Sequence, residues 1–114
     1  MNVVFAGGDL RFGYAARPTV AAGHTVSFWE CPKEAVELVR EKRLLQKEDI
    51  QGDVLVLPYP LSRDGQTLSG TNSGLPLTAV VKALPAFRWV VGGGVPKSFL
   101  AKGPQLLDLS DQEN

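Results

Sequence analysis

The stretch Asp53-Val-Leu-Val-Leu-Pro-Tyr-Pro-Leu-Ser-Arg-Asp-Gly65 limits the fold more than any other part of the chain. It opens on four apolar residues, Val54 to Leu57, two of them β-branched. A short apolar run closed by proline reads as a strand buried on both faces, the condition that a parallel sheet imposes. Pro58 and Pro60 lack amide donors, so the chain must leave the ladder there. A polar loop with Arg63, Asp64 and Gly65 follows. In open α/β sheets ligands collect outside the carboxyl ends of the strands, so this loop is the first candidate site.

The flanking segments supply the rest of such a sheet. Asn2–Phe5 is a short apolar strand, and Gly7-Gly8-Asp9 turns into a helix from Leu10 to about Ala22, with Asp9 as N-cap. Gly13 and Pro18 weaken that helix, and a kink or break is expected near Arg17. Gly23 caps its end, and His24–Trp29 alternates as a second strand. Pro32 opens a helix expected over Lys33 to about Leu45, with Ala35, Val36, Leu38, Val39 and Leu44 or Leu45 as its apolar stripe. After the Val54–Leu57 strand, Tyr59–Gly74 forms a loop of about 16 residues, a length that usually marks function or disorder. A helix over Leu75–Leu84, a strand over Phe87–Val91 ended by Gly92-Gly93-Gly94, a helical turn over Pro96–Lys102 and a strand over Gln105–Leu109 complete the chain. Ser110–Asn114 reads as a frayed tail.

Strands alternating with helices predict a three-layer α/β/α sandwich. Its five-stranded parallel sheet takes the flavodoxin-like, Rossmann-like order 2-1-3-4-5. With 114 residues and no internal boundary, the chain reads as a single domain, 1–114.

Composition removes several functional classes. Twelve basic and twelve acidic residues cancel, so neither nucleic acid nor an anionic membrane is expected as a partner. No apolar run approaches the roughly 20 residues of a membrane span. The chain enters a strand with no basic leader, so a cytoplasmic protein is expected. One cysteine and one histidine make neither an internal disulfide nor a metal-ligand set.

Each polar candidate has a plain reading beside a functional one. Gly7, Gly8, Asp9 and Arg11 occupy the turn where dinucleotide-binding folds seat a pyrophosphate, and Glu30 stands where a ribose-binding acid is expected. The G-x-G-x-x-G spacing is absent, however, and Asp9 would repel a phosphate. The segment is then either a glycine turn with a capped helix or a backbone that a small ligand approaches, with Asp9 and Arg11 at the rim. Arg63, Asp64 and Gly65 are either a solvated turn or a carboxylate site, since an arginine fork suits carboxylates. Ser62, Thr67, Ser69 and Asn72 could add neutral hydrogen bonds. Gly92–Gly94 reads equally as a flexible turn or a point of close approach. His24 reads as an ordinary strand opener, Cys31 as a packed small hydrophobe, and Trp29 and Trp89 as core. No nucleophile–base–acid arrangement is visible.

Asn2-Val-Val-Phe-Ala-Gly-Gly-Asp-Leu-Arg11 and Leu57-Pro-Tyr-Pro-Leu-Ser-Arg-Asp-Gly65 together resemble the N-terminal domain of the NAD(P)-dependent subunit of dipicolinate synthase. That family opens with a strand, Gly-Gly-Asp and a nearby Arg, and its third strand runs into a Leu-Pro-x-Pro loop that often reaches Arg-Asp-Gly. The resemblance implies part of a two-domain NAD(P)-dependent oxidoreductase of sporulating bacteria. That enzyme makes dipicolinic acid from a hydroxy-tetrahydrodipicolinate and works with a small, flavoprotein-like second subunit. It also implies that the nucleotide-binding domain follows this one, so the chain itself is expected to hold no cofactor and to be inactive alone. Gly7, Gly8, Asp9, Arg11, Pro58, Arg63, Asp64 and Gly65 are then the substrate-side wall of an interdomain cleft that takes a small dicarboxylate. A homo-oligomer is compatible with this reading. From the residues alone, a non-catalytic small-anion-binding module and a subunit-interaction domain stay open.

Overall fold

The computed structural model describes residues 1–45 and 49–92 and the backbone of the strand Gln105–Asp108. Among the described residues six strands form one sheet: β1 (Asn2–Ala6), β2 (Thr25–Trp29), β3 (Arg43–Leu44), β4 (Val54–Val56), β5 (Trp89–Gly92) and β6 (Gln105–Asp108). Their order is β3-β2-β1-β4-β5-β6, and every neighbouring pair is parallel. The five expected strands all form in the expected sequence across the sheet. The two-residue β3 is an addition at the edge beyond β2.

Alternation along the strands builds three layers, because successive side chains point to opposite faces. Val3, Phe5, Val26 and Phe28 lie on one face with Ala16 and Phe12 of α1 (Leu10–Ala21) and Val36 of α2 (Lys33–Glu37). Phe5 stacks at a tilt on both Phe12 and Phe28, with ring centroids 5.2 and 5.9 Å away. Val4, Ala6, Leu55 and Leu57 lie on the other face against Val80 of α3 (Leu77–Ala83), Leu84 and Phe87. The central β4 therefore feeds both cores, as its continuous apolar run requires.

Several expected boundaries need correction. The helix expected over Lys33–Leu45 ends at Glu37. Ala35 and Val39 are buried as the stripe requires, but the chain then returns to the sheet edge. There Ser27 and Phe28 pair with Arg43 and Leu44, and the Leu45 amide donates to the Phe28 carbonyl at 3.0 Å. Ladder bonds to β2 outcompete the helical propensity of this stretch, which is a weak preference in tertiary context. Leu44, expected on the buried stripe, is left 62% exposed.

No break occurs near Arg17. Helix α1 runs through Pro18 to Ala21, because Tyr14, Arg17 and Pro18 all lie on its exposed side. Gly13 has a packing reason: a Cβ there would collide with the Ala35 carbonyl of α2. β5 begins two residues later than expected and includes Gly92, which pairs with Asp108. Phe87 is core but precedes the ladder, and Trp89 is only half-buried. Gly93, Gly94, the Pro96–Lys102 turn, Leu109 and the tail lie outside the described residues.

Candidate functional site

All the predicted site residues lie at the carboxyl end of the sheet. Gly7 and Gly8 follow β1 with φ of +60° and +83°, a region in which glycine meets no Cβ penalty. The Gly7 amide donates to the Trp29 carbonyl at 3.0 Å and the Gly8 amide to the Ser69 carbonyl at 2.8 Å. A Cβ on Gly7 would strike that same Ser69 oxygen, and one on Gly70 would strike Gly8. The close approach that these glycines permit is made by the protein's own Leu68–Gly70 segment.

Asp9 caps α1 by accepting from the Arg11 amide at 2.9 Å. The Arg11 guanidinium closes back on the same carboxylate, Nε at 3.0 and 3.1 Å and Nη2 at 2.8 Å. Hydrogen bonds from the Arg11 side chain and amide, with a smaller contribution from the Arg63 charge, hold the Asp9 carboxyl below its ordinary pKa. Arg11 Nη2 also donates to the Tyr59 carbonyl at 3.3 Å. Arg11 thus ties the first βα turn to the proline loop.

Pro58 is buried where the chain leaves β4, and Leu61 and Leu68 anchor the loop in the core. Between those anchors Asp64 organises a tight turn. Its Oδ1 accepts from Ser62 Oγ (3.0 Å) and from the Gln66 and Thr67 amides (2.8 Å each), and its Oδ2 from Thr67 Oγ1 (2.7 Å). These donors, the two amides first, push the Asp64 carboxyl far below the usual carboxylate range. Gly65, at φ +78°, donates its amide to Ser62 Oγ at 2.9 Å. Arg63 rides on this turn, exposed, and makes no ion pair among the described residues.

The candidate residues therefore divide by role. Gly7, Gly8, Asp9, Arg11, Pro58, Asp64 and Gly65 shape and join two loops, and Arg63 is the cation among them left available at the rim. Of the neutral candidates, Ser62 and Thr67 are committed to Asp64, Asn72 is exposed, and the Ser69 hydroxyl is buried without a partner among the described residues. Sequence reasoning missed Ser73, whose Oγ donates to Glu30 Oε1 at 2.6 Å across the end of β1. No local signal marks a serine in a loop as the partner of an acid 43 positions away.

Two further titratable groups are closed off or stand apart from this rim. The Cys31 thiol donates to the Phe5 carbonyl at 3.1 Å, and burial pushes its pKa up to about 12. His24 lies at the opposite end of the sheet against the amino terminus, 3.0 Å from Met1 N. A hollow of about 460 Å³ there is lined by Val20, His24, Thr25, Lys42 and Arg43 among others. Among the described residues no cluster of acids, histidine and cysteine could hold a metal ion, and no helix is long and apolar enough to cross a membrane.

A parallel, Rossmann-like sheet with two loops interlocked over its carboxyl ends defines the class: an α/β domain whose candidate site residues share one rim. The family described as the N-terminal domain of the dipicolinate synthase subunit DpaA matches residues 2–102. The chain belongs to that family. No match was found among curated proteins or among solved structures.

Proposed function

We propose that this domain is the substrate-side wall of an NAD(P)-dependent oxidoreductase that makes dipicolinic acid from a hydroxy-tetrahydrodipicolinate during sporulation. Family membership supports the reading, and the observation that carries it to a residue is Arg63. A guanidinium without an ion-pair partner among the described residues, held at the strand ends by a turn that uses both Asp64 oxygens, is suited to a substrate carboxylate. Arg11 is already neutralised by Asp9 and serves to hold the rim together.

The first βα turn does not fit a nucleotide. The Gly8 amide that would face a pyrophosphate is taken by Ser69, Glu30 Oε1 already accepts from Ser73, and Asp9 adds negative charge. In the proposed enzyme the cofactor belongs to a following nucleotide-binding domain in the cytoplasm, with the flavoprotein-like second subunit as a further partner. This chain's residues then bind and orient the dicarboxylate and shield one side of it from water.

The test is a titration of the chain with dipicolinate, followed by amide chemical shifts. Shifts at Ser62–Gly65 and weakening by about 10- to 100-fold in Arg63→Ala are expected, the cost of losing a hydrogen bond to a charged group. In an enzyme that joins this domain to its nucleotide-binding domain, the same substitution should lower kcat/KM to a comparable degree. Unchanged affinity, or shifts confined to the opposite end of the sheet, would remove Arg63 from the site.

A further inference from the structure

Beyond the Arg63 turn, Thr67–Pro76 forms a narrow strap. Its base is closed by an antiparallel bridge between Thr67 and Pro76 and by two bonds of 2.8 Å, Leu68 N to Leu75 O and Leu77 N to Gln66 O. Inside it Thr71 Oγ1 donates to the Leu68 carbonyl at 3.0 Å and accepts from the Leu75 amide at 2.9 Å. The strap crosses the end of β1, where Ser69 O accepts from Gly8, while Ser69 N donates to the Leu61 carbonyl at 2.9 Å. Leu61 stands two residues before Arg63, and Thr67 is bonded to Asp64. Hydrogen bonds therefore tie the strap to the Arg63 turn.

Glu30 holds the strap's far side. It has φ of +58°, the one positive φ of a residue other than glycine among the described residues. An L side chain in that region is strained and persists only where its surroundings over-determine it. The backbone reversal after β2 aims the carboxylate across β1, and Ser73 Oγ meets it at 2.6 Å, the short distance of a charge-assisted bond.

We propose that Glu30 is a positioning residue: through Ser73 it latches the Thr67–Pro76 strap over the Gly7–Gly8 turn and so fixes where the Arg63 turn stands. The consequence for affinity rests on the functional reading above, whereas the latch itself does not. Glu30→Ala and Ser73→Ala each remove the bond, and Ser73→Ala does so without touching the Glu30 backbone. Hydrogen exchange of the Gly8 and Ser69 amides, measured without ligand, should quicken about five- to tenfold in both variants, and the Gln66 and Thr67 amide signals should shift. The double variant should go no further than either single one. Glu30→Gln, whose side-chain oxygen still accepts from Ser73, should recover most of the protection. Unaltered exchange in both alanine variants, or additive effects in the double variant, would overturn the latch. Dipicolinate affinity should fall at least threefold in the alanine variants and recover in Glu30→Gln. Faster exchange with undiminished affinity would leave Glu30 a mere loop contact and defeat its positioning role. A chain that binds no dipicolinate even unaltered would defeat the functional reading, while the exchange measurement still decides the latch.

Discussion

At the residue scale, glycines in the same backbone region carry different obligations. Gly65 and Gly70 have φ of +78° and +81°, yet a Cβ on Gly65 meets open space and one on Gly70 runs into the backbone of Gly8. Gly65→Ala should cost only the strain of left-handed backbone, about 1–2 kcal/mol. Gly70→Ala should cost about 3 kcal/mol or more, because backbone cannot step aside as a side-chain tip can. Urea denaturation of the two variants checks the ordering, and equal losses would show that the strap does not press on the β1 turn.

The carboxylates carry a pH signature at the same scale. The pKa values of Asp9 and Asp64 are both lowered on folding from 3.8. Their stabilisation is complete above that value and is lost as pH falls through their depressed folded values. Asp64→Asn should therefore be less stable than the parent at pH 7, with a gap that narrows below about pH 4, where Asp64 of the parent's unfolded chain takes up a proton while the folded carboxylate stays ionised. Denaturant midpoints at pH 7 and pH 2.5 measure that gap, and a constant gap would mean that the Asp64 charge contributes nothing.

At the scale of elements, the sequence was most legible where local and tertiary preferences agree. Val54–Leu57 declared a strand because only a central, two-faced position accepts such a run, and Asp9 declared a cap because its oxygen has an amide within reach. The end of α2 was not legible. Nothing between Glu37 and Leu45 forbids a helix, and only the pairing of Arg43 and Leu44 with β2 turns the chain back. Pro18 erred in the opposite direction, since proline breaks a helix less readily when the neighbouring turn faces water. Helix α1 consequently contains a removable defect. Pro18→Ala should raise stability by about 1–3 kcal/mol, as the missing amide returns and the ring no longer crowds the preceding turn. A loss of stability in thermal unfolding would mean that the stiffening of the unfolded chain by proline outweighs both. In the candidate site, residue types pointed to the right end of the sheet but could not show which groups were already spent. That Asp64 is consumed by its own turn while Arg63 is left over depends on four hydrogen-bond geometries around a single carboxylate.

At the scale of the whole molecule, the core and the rim are separable, and ligand linkage can show it. Leu55 is fully buried in β4, paired with Val4 of β1 on one side and Val90 of β5 on the other. Leu55→Ala should cost about 3–4 kcal/mol through lost transfer energy and a cavity. Arg63 is exposed and, among the described residues, bonded to nothing that holds the fold, so Arg63→Ala should leave unfolding nearly unchanged. A ligand that binds only the folded chain adds RT ln(1 + [L]/Kd), about 1.4 kcal/mol at ten times Kd. With dipicolinate at that excess, the Leu55→Ala protein should start lower but gain the full increment, provided it remains folded. The Arg63→Ala protein should start level and gain about 0.4 kcal/mol or less. If both variants lose the increment together, the rim depends on the core so closely that its affinity cannot be assigned to one guanidinium. If neither loses it, the dicarboxylate is held by groups other than Arg63.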